Sequence, residues 1–137
     1  MIEFYSETDF HLQHEDTFVK WITNTIKEEG FQVGGLTYVF CDDDYLLQLN
    51  EKFLNHDTYT DIITFDYSLG KELHGEIYIS VDRVKENAET FKVTFDAELR
   101  RVMIHGILHL CEHEDASKEE KEQMRALEDR YLKKFLS

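Results

Sequence analysis

His105 and His109 stand four residues apart in the run His105-Gly-Ile-Leu-His109-Leu-Cys-Glu-His-Glu-Asp115. On a helix, positions i and i+4 share a face about 6 Å apart, so both imidazoles can reach one metal ion. Continuing the helix cannot deliver a third ligand from His113. Eight helical residues climb about 12 Å, and each imidazole nitrogen must come within about 2 Å of the ion. The spacing therefore predicts that the helix breaks after Leu110 or Cys111 and that the chain swings a ligand back. Asp115 is the best placed candidate and His113 the second. Val102, Met103, Ile107, Leu108 and Leu110 surround the pair with apolar side chains, as a partly dry metal site requires.

Three protein ligands on one Zn²⁺ leave a fourth position open, the arrangement of a hydrolytic centre rather than a closed structural one. His105, His109 and Asp115 would then act catalytically through the metal, which acidifies bound water and polarises a phosphoryl oxygen. Zinc proteases with an H-E-x-x-H helix share the histidine spacing but need its glutamate as general base. That position is Gly106 here, which argues against peptide hydrolysis. Glu112, Glu114, His56 and Asp57 are the available base candidates, each equally readable as an ordinary loop residue.

The elements that must hold these side chains follow from pattern. Ile2, Phe4, Phe10 and Leu12 suggest one or two short strands. From Glu15 to Glu29, Phe18, Val19, Ile22 and Ile26 recur at helical spacing, and Gly30 supplies the stop. Gly34-Gly35 reads as a turn, and Leu36–Cys41 as a buried strand. Asp42-Asp-Asp44 caps a helix through Leu46, Leu49 and Phe53. Asn55–Tyr59 reads as loop, Ile62–Tyr67 as a strand, Leu69–Leu73 as a turn around Gly70, and Gly75–Ser80 as a strand. Asp82 is expected to cap a helix to about Phe91, and Thr94 or Asp96 to open the histidine helix. Ser117-Lys-Glu-Glu120 is a capping box for a final helix carrying Met124, Leu127, Tyr131, Leu132 and Phe135. No proline, repeat or low-complexity segment marks a boundary. Residues 1–137 are thus expected to form one α+β domain, a single mixed β-sheet covered by helices with the metal site at a helix end.

Composition narrows the function classes. Hydrophobic residues make up 42% and aromatics 13%, enough for a real core and too much for a disordered chain. No apolar run approaches the roughly 20 residues that span a membrane, and the first residues are acidic rather than basic. The only cysteines, Cys41 and Cys111, are far apart, which fits reduced thiols in the cytoplasm. A net charge of −14 argues against a simple nucleic-acid binder. Cations concentrate in residues 83–101, where Arg83, Lys85, Lys92, Arg100 and Arg101 face four acids. Any RNA would approach there, and Arg83, Lys85, Arg100 and Arg101 are the expected backbone contacts.

The histidine segment resembles the signature of the YbeY family, His-Gly-x-Leu-His-Leu-x-Gly-Tyr-Asp-His. His105, Gly106, Leu108, His109 and Leu110 match in register; the family's third histidine falls on Asp115 and its turn glycine on Glu112. Leu49-Asn50, Thr60-Asp61-Ile62-Ile63-Thr64-Phe65 and Gly75-Glu76-Ile77 are similar to further family segments, as are Met124 and Glu128 in the last helix. The likeness runs from about residue 36 to 132. It implies a metal-dependent, single-strand-specific endoribonuclease acting on ribosomal RNA precursors. Maturation at the 16S 3′ end, ribosome quality control, and the small ribosomal subunit as partner come with it, the protein itself being expected as a monomer. The family's arginine four residues after Asn50 is Leu54 here, which can neither pair with phosphate nor stabilise transition-state charge. That departure, with the net charge, keeps a second reading open: a non-catalytic ribosome-assembly factor whose metal is structural.

Overall fold

The computed structural model describes residues 1–54 and 59–135. In these residues four strands form one mixed sheet in the order β1-β2-β4-β3, namely β1 (Ile2–Ser6), β2 (Gln32–Cys41), β3 (Ile62–Asp66) and β4 (Glu72–Ser80). β1 and β4 both run parallel to β2, and β3 closes one edge antiparallel to β4. Among the described residues, five helices accompany the sheet: α1 (Glu15–Glu28), α2 (Asp43–Leu54), α3 (Val81–Phe91), α4 (Phe95–Leu110) and α5 (Lys118–Leu132). The expected α+β class with a single mixed sheet is what the chain adopts. No helix among the described residues is long and apolar enough to cross a membrane.

Alternation along the strands assigns the two faces. Leu36, Tyr38 and Phe40 of β2 and Leu73, Ile77 and Ile79 of β4 enter the main core with Ile22 and Ile26 of α1, Val84 of α3 and Met124 and Tyr131 of α5. The intervening residues Cys41 and Ile63 meet Leu46 of α2 in a smaller cluster on the opposite face. α4 supplies more of the main core than any other element, with Met103, Ile104, Ile107 and Leu108 wholly buried. Each such side chain contributes about 1.5–3 kcal/mol of gross burial free energy, so packing fixes where this helix lies. Gly106 lets it lie close to the sheet: a Cβ there would meet Ile62 Cδ1 at 3.0 Å and Ile77 Cγ2 at 3.1 Å.

Three sequence expectations need correction. Gly34-Gly35 is not a turn but an irregular part of β2, between Val33 and Leu36. Gly34 is there for closeness, since a Cβ would sit 2.5 Å from the Leu73 carbonyl oxygen and from the His74 ring. The cap of α3 is Ser80, whose Oγ accepts from Arg83 N at 3.2 Å; Asp82 instead accepts from Asp43 N at 3.1 Å. Phe10 and Leu12 lie in no strand, although both join the core. Other terminators behave as expected. Asp42 Oδ1 accepts from Tyr45 N at 2.8 Å, and Thr94 Oγ1 accepts from Ala97 N at 3.1 Å. The Ser117–Glu120 capping box closes in both directions, at 2.9 and 3.1 Å.

Candidate metal centre

α4 ends at Leu110 with Cys111 as its C-cap, where the sequence requires the break. The chain then reverses through Glu112, whose φ of +73° is the left-handed conformation for which the family's pattern uses glycine. His113 N donates to Leu108 O at 3.1 Å and Glu112 N to His109 O at 3.0 Å, closing the turn on the helix's free carbonyls. A left-handed non-glycine residue costs about 1–2 kcal/mol, well below the burial free energy of the four core residues of α4, so packing imposes the turn.

The reversal returns Asp115 to the histidines. His105 Nε2 and His109 Nε2 are 2.9 Å apart, with Asp115 Oδ2 3.3 Å from the first and 3.5 Å from the second. Ligands at about 2.0–2.1 Å from a tetrahedral zinc are separated by about 3.3 Å, so these three atoms need move only tenths of an ångström to share an ion. The outer nitrogens decide the tautomers. His105 Nδ1 lies 2.6 Å from Glu128 Oε2, and His109 Nδ1 lies 2.9 Å from the His113 carbonyl oxygen. Both partners only accept, so each Nδ1 carries the proton and each Nε2 presents a lone pair. Two lone pairs and a carboxylate converging on one point repel one another unless a cation lies between them. The donor set therefore fits a transition metal.

The surroundings favour a cation as well. Burial lowers the tendency of His105 to charge, but the Glu128 hydrogen bond and charge offset this and raise its pKa. Burial also raises the carboxyls of Asp61 and Glu98, with the Glu128 charge adding to both. Arg101 answers part of this negative field, donating to Glu128 Oε1 at 2.8 Å and to Asp129 Oδ1 at 2.6 Å. Cys111, in the turn itself, is buried, and that burial pushes its thiol up to about 12.

The remaining candidates lie as follows. The His113 ring turns away from the histidine pair to Glu29 Oε1, 2.6 Å distant. Glu112 and Glu114 are exposed on the turn. His56 and Asp57 lie outside the described residues. Arg83 pairs with Asp43 at 2.8 Å and Glu86 at 3.2 Å, and Arg100 stacks over Phe135 at 4.2 Å. Lys85 is exposed on α3. Glu128 and Asp61 carried no assigned role in the sequence reading. For Glu128 a signal existed: it occupies the buried stripe Met124–Glu128–Tyr131, where an unpaired carboxylate would be costly. Asp61 offered none, because burial raised its pKa only once the strands had paired.

One opening borders the centre, and a second lies on the arginine side of α4. A groove of about 330 Å³ runs beside His109 and Leu110, lined by Leu54 and by Ile62, Thr64 and Asp66 of β3. A cleft of about 600 Å³ is lined by Arg100, Arg101, Arg125, Phe91 and Val93.

The model of the family described as Endoribonuclease YbeY matches residues 2–136. The Endoribonuclease YbeY of Flavobacterium psychrophilum is 52% identical over 135 residues, spanning 98% of this chain and 96% of that protein. Its counterpart in Flavobacterium johnsoniae is 47% identical, spanning 98% of this chain and 97% of that one. The solution structure of TM1509 from Thermotoga maritima matches with a TM-score of 0.67 at 28% identity, covering 97% of this chain and 87% of that one. With the histidine signature in register and the match running the length of the sequence, the chain belongs to the YbeY family.

Proposed function

We propose that this protein is a metal-dependent endoribonuclease for single-stranded RNA, acting on ribosomal RNA precursors at the 16S 3′ end, in ribosome quality control and beside the small ribosomal subunit in the cytoplasm. The observation that carries the reading is the convergence of His105 Nε2, His109 Nε2 and Asp115 Oδ2 in a chain whose curated relatives are named endoribonucleases. His105, His109 and Asp115 would hold one Zn²⁺. Once bound, the metal supplies Lewis acidity at a phosphodiester.

The chain's own residues do the rest. Glu128 keeps His105 proton-bearing at Nδ1, and the His113 carbonyl does the same for His109. The groove beside His109 would seat the strand next to the centre. Backbone contacts fall to Arg83, Lys85, Arg100 and Arg101, and the cleft that Arg100 and Arg101 share with Arg125 supports this placement. Arg83 and Arg101 already serve carboxylates, and Leu54 brings no charge to the groove, so turnover is slow and strongly salt-dependent.

Those engaged arginines also favour the second reading, an assembly factor that binds without cutting and whose metal is structural. Cleavage of a single-stranded RNA oligomer in low salt separates the two. Wild type with Zn²⁺ cuts, and chelated wild type and His109→Ala do not. Equal cutting by His109→Ala exposes a contaminant. Absence of cutting by zinc-loaded wild type that still binds small subunits selects the assembly factor.

A further inference from the structure

We propose that His113 is the positioning residue of His109: its ring, anchored on Glu29, holds its own carbonyl where it fixes the tautomer of the ligand. This rests on the metal reading above and assigns His113 a part other than ligation. The carbonyl stands 2.9 Å from His109 Nδ1 and can only accept, so the proton is drawn to Nδ1 and Nε2 is left bare toward His105 and Asp115. The backbone N–H groups of Glu112 and His113 tie this turn to the end of α4 alone. The ring adds a tie to a second element. His113 Nε2 meets Glu29 Oε1 at 2.6 Å, and Glu29 is fixed at the end of α1 by its backbone N–H, which donates to Thr25 O at 3.0 Å. The other oxygen of Glu29 accepts from the Tyr131 hydroxyl of α5.

The arrangement couples the two ligands. Tyr131 and Glu128 lie one turn apart on α5, so a single helix supports the partner of His105 directly and the partner of His109 through Glu29. A glutamate at the end of α1, 84 positions away from His113 in sequence, thereby becomes part of the metal centre.

The test titrates Zn²⁺ into the metal-free full-length protein by calorimetry and reads the His109 tautomer from ¹⁵N-imidazole NMR of the same samples. His113→Phe removes the anchor, and Glu29→Gln leaves one acceptor for two donors. His113→Gln restores a donor to Glu29. Expected are an affinity about tenfold weaker for His113→Phe and Glu29→Gln, a His109 signal moved toward a mixture of tautomers, and recovery of both in His113→Gln. If His113→Phe does not fold, Glu29→Gln carries the same two readouts. Wild-type affinity and tautomer in Glu29→Gln and His113→Phe would overturn the proposal while leaving the metal centre standing, as would His113→Gln as weak as His113→Phe. Wild type that takes up no Zn²⁺ would overturn the metal reading itself, and the proposal with it.

Discussion

Glu128 Oε2 lies 2.6 Å from His105 Nδ1, and the same buried carboxylate takes a hydrogen bond from Arg101 at 2.8 Å through its other oxygen. Both oxygens of Glu128 are engaged behind His105, and the ligand atoms that converge are those of His105, His109 and Asp115, so its part in the centre is orientation. Glu128→Gln should weaken Zn²⁺ binding by about ten- to a hundredfold, because the amide holds the imidazole less firmly and removes a charge from its back. Competition against a chromophoric chelator measures this. An unchanged dissociation constant would count against the orienting role.

Asp115 sits two residues before the Ser117 cap, so a metal that holds it also fixes where α5 begins. Asp115→Ala should lower the melting temperature of zinc-loaded protein toward that of chelated protein, the zinc-linked stability falling by about 1.4 kcal/mol for each tenfold of affinity lost. Hydrogen exchange should rise in residues 112–120 more than elsewhere. Asp115→His, which restores the family's pattern, should bind zinc at least as tightly as wild type. Identical melting with and without chelator would remove the basis for this coupling.

Glu112 occupies a left-handed position with an exposed side chain. Glu112→Gly should stabilise the protein by about 0.5–1 kcal/mol, the conformational relief exceeding the greater chain entropy of the unfolded glycine. Urea denaturation with an unchanged m-value is the measurement. A loss of stability would mean that Glu112 makes compensating interactions in solution.

Glu98 gives a pH signature separable from the metal. Burial, then Asp61, raise its carboxyl above the ordinary 4.5, so the folded state holds its proton to higher pH than the unfolded state does. Stability from this group is fully present below 4.5 and is lost as pH rises through the folded value. Glu98→Gln should remove that slope. In chelator, the variant should gain on wild type as pH rises from 4.5, in a series of denaturation curves. Parallel curves across the series would contradict the shift.

What was legible in the sequence divides by range of interaction. The histidine helix, its Thr94 cap, its end near Leu110 and the Ser117–Glu120 box depend on residues within one or two turns of each other, and the chain prints them directly. Asp115 was found by reach alone, since helix rise excludes one alternative and a reversal permits the other. Gly34 misled because a glycine needed for closeness to Leu73 and His74 looks the same as one needed for a turn. Ser80 was passed over for Asp82 because the partner that occupies Asp82, the backbone of Asp43, lies 39 residues away. Glu29 was invisible for the same reason, its contact with His113 being made only when α1 and the α4–α5 turn come together.

Gly106 also constrains which descendants this fold can have. A peptidase needs a glutamate at that position of the metal helix, and one codon change away from glycine supplies it. Yet any side chain there must displace methyl groups of Ile62 and Ile77, at 3.0–3.2 Å from its first carbon. The base would arrive together with strain where the helix meets the sheet, relieved only as those methyl groups give by a few tenths of an ångström. Smaller residues at 62 and 77 would ease the step, with no activity of their own to reward them. The route between the two hydrolase classes is short in sequence and narrow in packing, which offers a reason for a lineage to keep its glycine.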